Sequence, residues 1–356
     1  MASEINLSGL TINEQEALEA SQAVFTKAFA KPELNTVHAV ATGIQMKTQI
    51  PIYGRFGIVG KKSLGSCDVN AETVASVASE KFWDPELINF RLTHCQEDIN
   101  QLFKMWKRNA SALKTWDTMD PGQEEFLVDL TTDAILESVL RITSFGDEGG
   151  TAVADGGNIT DGTSILYFTM IDGLWAQIID AVAGGTTPRY QITENGGANF
   201  AAQDNLAGDR ALKLFRAMYE QIDTRAFQEG NLVYEVTYSL LKNWQSYLED
   251  KSLAFTLMRT EEGKGTGGYE YRGIPIIPRF DWDRNIRAYF STGTKYYLPH
   301  RAILGPISNI PVGTSDESNL NDMNMFYDPV TKKLLTDVAY YIDAKLVEDH
   351  MAAVAY

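Results

Sequence analysis

Residues 121–142, PGQEEFLVDLTTDAILESVLRI, decide how the rest of the chain is read. Phe126, Leu127, Leu130, Ala134, Ile135, Leu136, Val139 and Leu140 recur at helical spacing. Glu124 and Glu125 stand near the amino end, where the helix dipole favours negative charge. At about twenty residues the helix spans roughly 30 Å, the longest rigid rod in the chain. The stretch that follows, Ile142 to Pro188, has no Lys or Arg but contains Asp147, Glu148, Asp155, Asp161, Asp172 and Asp180. Gly149-Gly150 and Gly156-Gly157 mark loops within it, and without calcium-loop spacing it reads as a solvated acidic loop.

Upstream, Lys81 to Leu92 reads as strand around Phe82, Trp83, Ile88, Phe90 and Leu92, and Gln96 to Asn109 as a helix. Val37 to Arg55 reads as extended chain. Val40, Thr42, Ile44, Met46 and Thr48 line one side, opposite Gln45, Lys47 and Gln49, and Pro51 suggests an edge or a strand end. Gly54 to Ser66 sets four glycines among Arg55, Lys61 and Lys62. That suits a projecting hairpin or a surface loop, and lacks the Gly-Lys-Ser/Thr of a phosphate cradle. Before Pro32, Asn13 and Glu16 can cap a helix whose stripe is Leu18, Val24, Phe25 and Phe29. It is either an arm that docks elsewhere or the first core helix.

Downstream, helices are expected at Ile171–Val182, Asp209–Ile222 and Leu240–Leu248, and strands at Leu232–Thr237 and Tyr269–Pro278, the latter near an edge because of Pro275. Short extended pieces follow at Ile286–Ser291, Tyr296–Leu304, Leu320–Tyr327 and Leu334–Leu346. In the last, Val338, Tyr340, Ile342 and Ala344 oppose Tyr341 and Asp343, so it reads as a late strand completing a sheet begun much earlier. The class is α+β.

The 356 residues are 44 % hydrophobic, which excludes disorder along the whole length. With 31 Lys and Arg against 47 Asp and Glu, the net charge of -16 disfavours a free nucleic-acid binder. Cys67 and Cys95 make no disulfide framework, and the four histidines stand singly. Met1 to Leu10 has no signal-peptide pattern, and no run of 18 apolar residues occurs. His94 and Cys95 adjoin and cannot face one another; Cys95 reads as a small buried residue at a helix start. Asp281, Asp283 and Arg284 follow Pro278 in a short turn and are the remaining candidates to hold a ligand. The aromatic residues suit core packing and subunit interfaces.

Five blocks then occur in order: KFWDPELINFRLTHCQEDINQLF (Lys81–Phe103), ILESVLRITSFGDEG (Ile135–Gly149), MIDGLWAQI (Met170–Ile178), YEYRGIPIIPRFDWD (Tyr269–Asp283) and PHRAILGPISNIPVG (Pro299–Gly313). With them the chain resembles the major capsid proteins of tailed bacteriophages, of the HK97-like fold, and especially the branch in phages of Bacteroidetes, including crAss-like phages. The resemblance implies an N-terminal arm at 1–36 and an extended loop (E-loop) at 37–80. It also implies a peripheral domain with a long spine helix at 81–145 and 320–356, and an axial domain at 146–319. It implies no enzyme activity, catalytic residue, cofactor or metal.

The partners implied are many copies of the chain in hexamers and pentamers, with portal, scaffolding or head-decoration proteins. The shell encloses double-stranded DNA without reading its sequence, involves no membrane, and assembles in the bacterial host cytoplasm. Candidate intersubunit residues are Phe25 and Phe29 of the arm, Arg55, Lys61 and Lys62 of the loop, and the acidic Asp147, Glu148 and Asp155. A lysine–asparagine crosslink from Lys61 or Lys62 to Asn309 or Asn319 has no specific match and is not expected, and a cleaved leader is not evident. The rival readings are an encapsulin-like cargo shell and, more distantly, a soluble ligand-binding enzyme.

Overall fold

The computed structural model describes residues 32–44, 46–51, 80–95, 121–149, 153–154, 157–158, 165–251, 269–291, 293–314, 324–328 and 333–356. The arm before Pro32, the Gly54–Ser66 stretch and the helix expected at Gln96–Asn109 lie outside them.

The helix read from residues 121–142 runs from Pro121 to Phe145. It follows a four-residue helix, Pro32–Asn35, which is α1, and is itself α2. Ile135, Leu136, Val139, Leu140 and Ile142 form its buried stripe. That stripe packs on Ile88, Val312, Val338, Tyr340, Ile342 and Ala344 of a five-stranded sheet. The sheet holds β1 (Val40–Ala41), β4 (Glu86–Cys95), β12 (Val312–Thr314), β13 (Asn324–Asp328) and β14 (Lys333–Ala344). β14 is its axis: β4 pairs along it from Ile342↔Glu86 to Lys333↔Cys95, while β12 and β13 share its other edge. The late strand therefore does complete a sheet begun in the first third of the chain.

The second sheet has six strands in the order β7-β15-β11-β8-β10-β9. They are β7 (Arg189–Tyr190), β8 (Leu232–Val236), β9 (Tyr269–Tyr271), β10 (Ile274–Pro278), β11 (Ala302–Pro306) and β15 (Ala353–Ala355). Both faces are covered, so β8 and β11 are buried at every residue. One face, with Tyr234, Leu304 and Ala353, packs on α5 (Arg210–Gln221) and α7 (Tyr238–Asp250). The other, with Ile303 and Val354, packs on α3 (Leu174–Ala183) and α8 (Phe280–Tyr289). Short helices α4 (Phe200–Asp204) and α6 (Thr224–Glu229) fill the connections.

Several expectations are corrected. Val37–Arg55 is not one extended run. It breaks at Gly43, whose φ of 84° turns the chain, into β1 and β2 (Thr48–Pro51), which belong to different sheets. Ile44 is buried while Met46 is exposed, so the two do not share a face. Ile286–Ser291 is not strand but mostly the end of α8, whose first turn holds Asp281 and Asp283 and whose last holds Arg287, as the dipole favours. Cys95 is the last residue of β4, and the helix expected after it lies outside the described residues. Asp343 is buried, although it alternates with the core side chains of β14.

The strand expected at Tyr269–Pro278 is interrupted not at Pro275, which lies within β10 and pairs with Glu270 of β9, but at a β9–β10 hairpin whose two turn residues, Arg272 and Gly273, have φ of 53° and 78°. Sheet membership changes more than once near the end of the chain. β12 lies in the five-stranded sheet, and β15 pairs with β11 and β7 in the six-stranded one. The chain thus crosses between the sheets twice near its end.

Candidate functional site

The two sheets meet at the carboxyl end of α2. Gly146 allows that meeting: a Cβ there would lie 2.4 Å from the Ile171 carbonyl oxygen, and one on Gly173 would lie 2.6 Å from the Gly146 nitrogen. The two backbones are joined by a bond from Gly173 N to Gly146 O (2.9 Å). Beside this contact lies a buried cluster around Arg279, the residue after β10. Its guanidinium donates to both oxygens of Asp281 (2.9 and 2.8 Å), to Glu235 of β8 and to Ser144 of α2 (3.2 Å). It also lies 4.7 Å from the Trp282 ring, and Trp282 Nε1 donates to the same Ser144 hydroxyl (3.0 Å). His38, after α1, stands with Nδ1 3.0 Å from the Ile310 carbonyl and Nε2 3.4 Å from Arg279. Nδ1 is therefore the protonated nitrogen, and Nε2 accepts from the guanidinium.

Charge counting explains the electrostatics. One guanidinium faces two carboxylates, Glu235 fully buried and Asp281 nearly so, and cannot neutralise both. Burial raises Asp281's pKa, but its two-point bond to Arg279 outweighs that and holds it below the usual range. Glu235 carries the excess, and burial pushes it up to about 7 against the attraction of Arg279. Its Oε1 has no hydrogen-bond partner among the described residues, which adds to the cost of its charge. Burial, reinforced by Arg279, pushes His38 down to about 3 and keeps it neutral. Arg279 stays charged: burial opposes its charge, but Asp281 and Glu235 overcome that. A second buried cation, Arg301, lies 4.8 Å from Trp175 and 5.2 Å from Phe145 at the end of α2, and burial pushes it down to about 9. These contacts fasten α2 and its sheet to the six-stranded sheet.

The surface-facing features lie elsewhere. Among the described residues β2 pairs only with β3 (Glu80–Trp83), forming a two-stranded ribbon hydrogen-bonded along neither sheet, and residues 52–79 connect the two strands. Met46 and Phe82, 70 % and 39 % exposed, flank its base, with Leu87 exposed on β4. Tyr238 and Phe280 expose a ring pair, 5.5 Å apart, on the rim of a groove of about 1590 Å³ between α2 and β10.

Of the residues named from the sequence, Phe25, Phe29, Arg55, Lys61, Lys62 and Asp155 lie outside the described residues, as does Asn319. Asp147 is buried, contrary to a solvated loop, because the chain folds back there and its amide donates to Phe168 O (2.8 Å). Glu148 is exposed, its amide donating to Asp172 (2.9 Å). Asn309 is buried and clamps Glu348 through both amide atoms (2.9 and 2.7 Å). Asp281, Asp283 and Arg284 do not form a ligand-binding turn. Asp281 is held by Arg279, Asp283 accepts from the first amide of α7 (2.6 Å), and Arg284 pairs with Glu137 of α2 (3.5 Å). The cluster itself went unread, although a single Glu in the apolar run LVYEV was a signal for it.

No protein-family profile and no curated protein matches the sequence. Solved structures do match. A chain of the satellite phage P4 procapsid, which includes the size determination protein, aligns with 96 % of this chain and 90 % of its own, at 12 % identity and TM-score 0.50. A chain from Gordonia phage Cozz aligns with 91 % and 85 %, at 12 % identity and TM-score 0.51. A chain of the holo-SrpI encapsulin complex of Synechococcus elongatus aligns with 91 % and 87 %, at 10 % identity and TM-score 0.47. The architecture is the HK97-like α+β fold.

Proposed function

We propose that this chain is the major capsid protein of a tailed phage, a structural subunit without catalytic activity that closes into the icosahedral head around double-stranded DNA. The observation that carries the reading is the pairing of two sheets and a long helix with a ribbon that belongs to neither sheet, in a fold aligned over nine-tenths of the chain with a procapsid subunit. In this reading α2 is the spine helix, the five-stranded sheet is the peripheral domain and the six-stranded sheet is the axial domain around each hexamer or pentamer. β2 and β3 are the base of the E-loop. A lone two-stranded ribbon is marginal in water, so one that projects suits burial on a neighbouring copy. Exposed Met46, Phe82 and Leu87 at its root supply apolar surface for that contact.

The five sequence blocks support the branch found in phages of Bacteroidetes, including crAss-like phages. Portal, scaffolding and decoration proteins and assembly in the host cytoplasm belong to the same proposal. A net charge of -16 suits a wall that must not grip packed DNA. The test is the content of particles isolated from producing cells. Nuclease-resistant double-stranded DNA is expected inside, whereas shells filled with an enzyme and free of DNA would make the chain an encapsulin-like protein instead.

A further inference from the structure

β14 leaves its sheet at Ala344, and the chain reaches β15 through a crossover that the body grips from several sides. Gln177 of α3 donates to Ala344 O (2.7 Å) and accepts from Leu346 N (2.9 Å). Thr187 donates to the Asp349 carbonyl (2.7 Å), and Thr186 donates to one oxygen of its carboxylate (3.2 Å). The crossover is therefore fixed to the six-stranded layer.

The ribbon is fastened to this crossover. Its corner is held where Asp84 N donates to Asp343 (2.7 Å) and where Trp83 covers Gly313 so closely that a Cβ there would lie 2.9 Å from the ring. A corner alone leaves the ribbon free to swing. Lys81 lies three residues out from the corner at Asp84, about 10 Å along a strand, and removes that freedom. Its ammonium donates to Leu346 O and to Asp349, both at 2.5 Å, in a pair that is only about one-third exposed.

We propose that Lys81 is a positioning residue for the projecting ribbon: its bonds to Leu346 and Asp349 set the angle at which the ribbon leaves the body. The consequence for assembly, that this angle helps set shell curvature, rests on the capsid reading above.

The test uses the full-length chain with Cys67→Ser, Cys95→Ser, Gln49→Cys and Glu220→Cys, spin-labelled at exposed position 49 on the ribbon and at exposed position 220 of α5. Pulsed electron-spin distances are measured before assembly. Lys81→Met is expected to widen the distance distribution about twofold or more, as a released two-stranded ribbon should. Asp349→Asn should widen it likewise, and Lys81→Arg should keep it narrow. An unchanged distribution in both Lys81→Met and Asp349→Asn, with native near-UV circular dichroism, overturns the proposal. If Lys81→Met does not fold, Asp349→Asn decides alone. In assembly, Lys81→Met should give particles of mixed diameter where the parent gives one. If the parent forms no particles, the capsid reading fails while the spin-label distances still decide the role of Lys81.

Discussion

Arg279 holds one positive charge between fully buried Glu235 and nearly buried Asp281, so its removal strands both carboxylates. Arg279→Met is expected to cost about 3–5 kcal/mol in urea unfolding, the usual loss when one partner of a buried pair is removed. Adding Glu235→Gln should recover part of that loss, because the excess charge goes with it. His38 makes a separate prediction with a definite sign. Its folded pKa, about 3, lies below the ordinary 6.5, so between those values the unfolded chain binds a proton that the folded chain refuses. Stability from this group is present above pH 6.5 and is lost as pH falls through the window. Glu235, raised to about 7, acts in the opposite direction. Comparing His38→Asn with the parent isolates the histidine. The variant should gain on the parent by about 2 kcal/mol between pH 7 and pH 5, at roughly 1.4 kcal/mol per pH unit below 6.5. Parallel stability curves would show that His38 titrates normally. The sequence marks Glu235 only as a lone acid in an apolar run, and it shows neither residue's partner, because contacts such as His38 to Arg279 join positions far apart in the chain.

The elements that could be read were those whose burial is one-sided and local. α2 shows its stripe at helical spacing because one face meets the sheet, and β14 alternates because Val338, Tyr340, Ile342 and Ala344 face that helix. α8 was missed: FDWDRNIRAY is rich in aromatic and polar residues, and its cue was charge placement, with Asp281 and Asp283 first and Arg287 last. Alternation in Val37–Arg55 continues across Gly43, where the backbone turns, so the sequence shows one run where the structure has two strands. The junction between α2 and α3 depends on Gly146, where a side chain would strike backbone oxygens that cannot withdraw. Gly146→Ala is therefore expected to lower stability by about 1–3 kcal/mol, as overpacking does, read as a lower denaturation midpoint. A midpoint equal to the parent's would mean that the two elements part without cost.

For the whole molecule, the fold class was legible from the order of elements, whereas the division of the chain between sheets was not. The crossing of β12 and β15 into opposite sheets follows from pairing that no local pattern records. We propose, as part of the capsid function, that basic Lys61 and Lys62 meet acidic surface on a neighbouring copy, with exposed Glu148 as a candidate partner. Lys61→Glu with Lys62→Glu should weaken assembly while leaving the circular dichroism of the unassembled chain unchanged. Unaltered assembly with the parent's salt dependence would remove the charge pairing. A closed shell requires identical copies to complete one another's burial through contacts that close. Electron microscopy of the purified protein at high concentration tests this most directly: closed polyhedral shells of uniform size are expected, and a field of discrete compact monomers would contradict it.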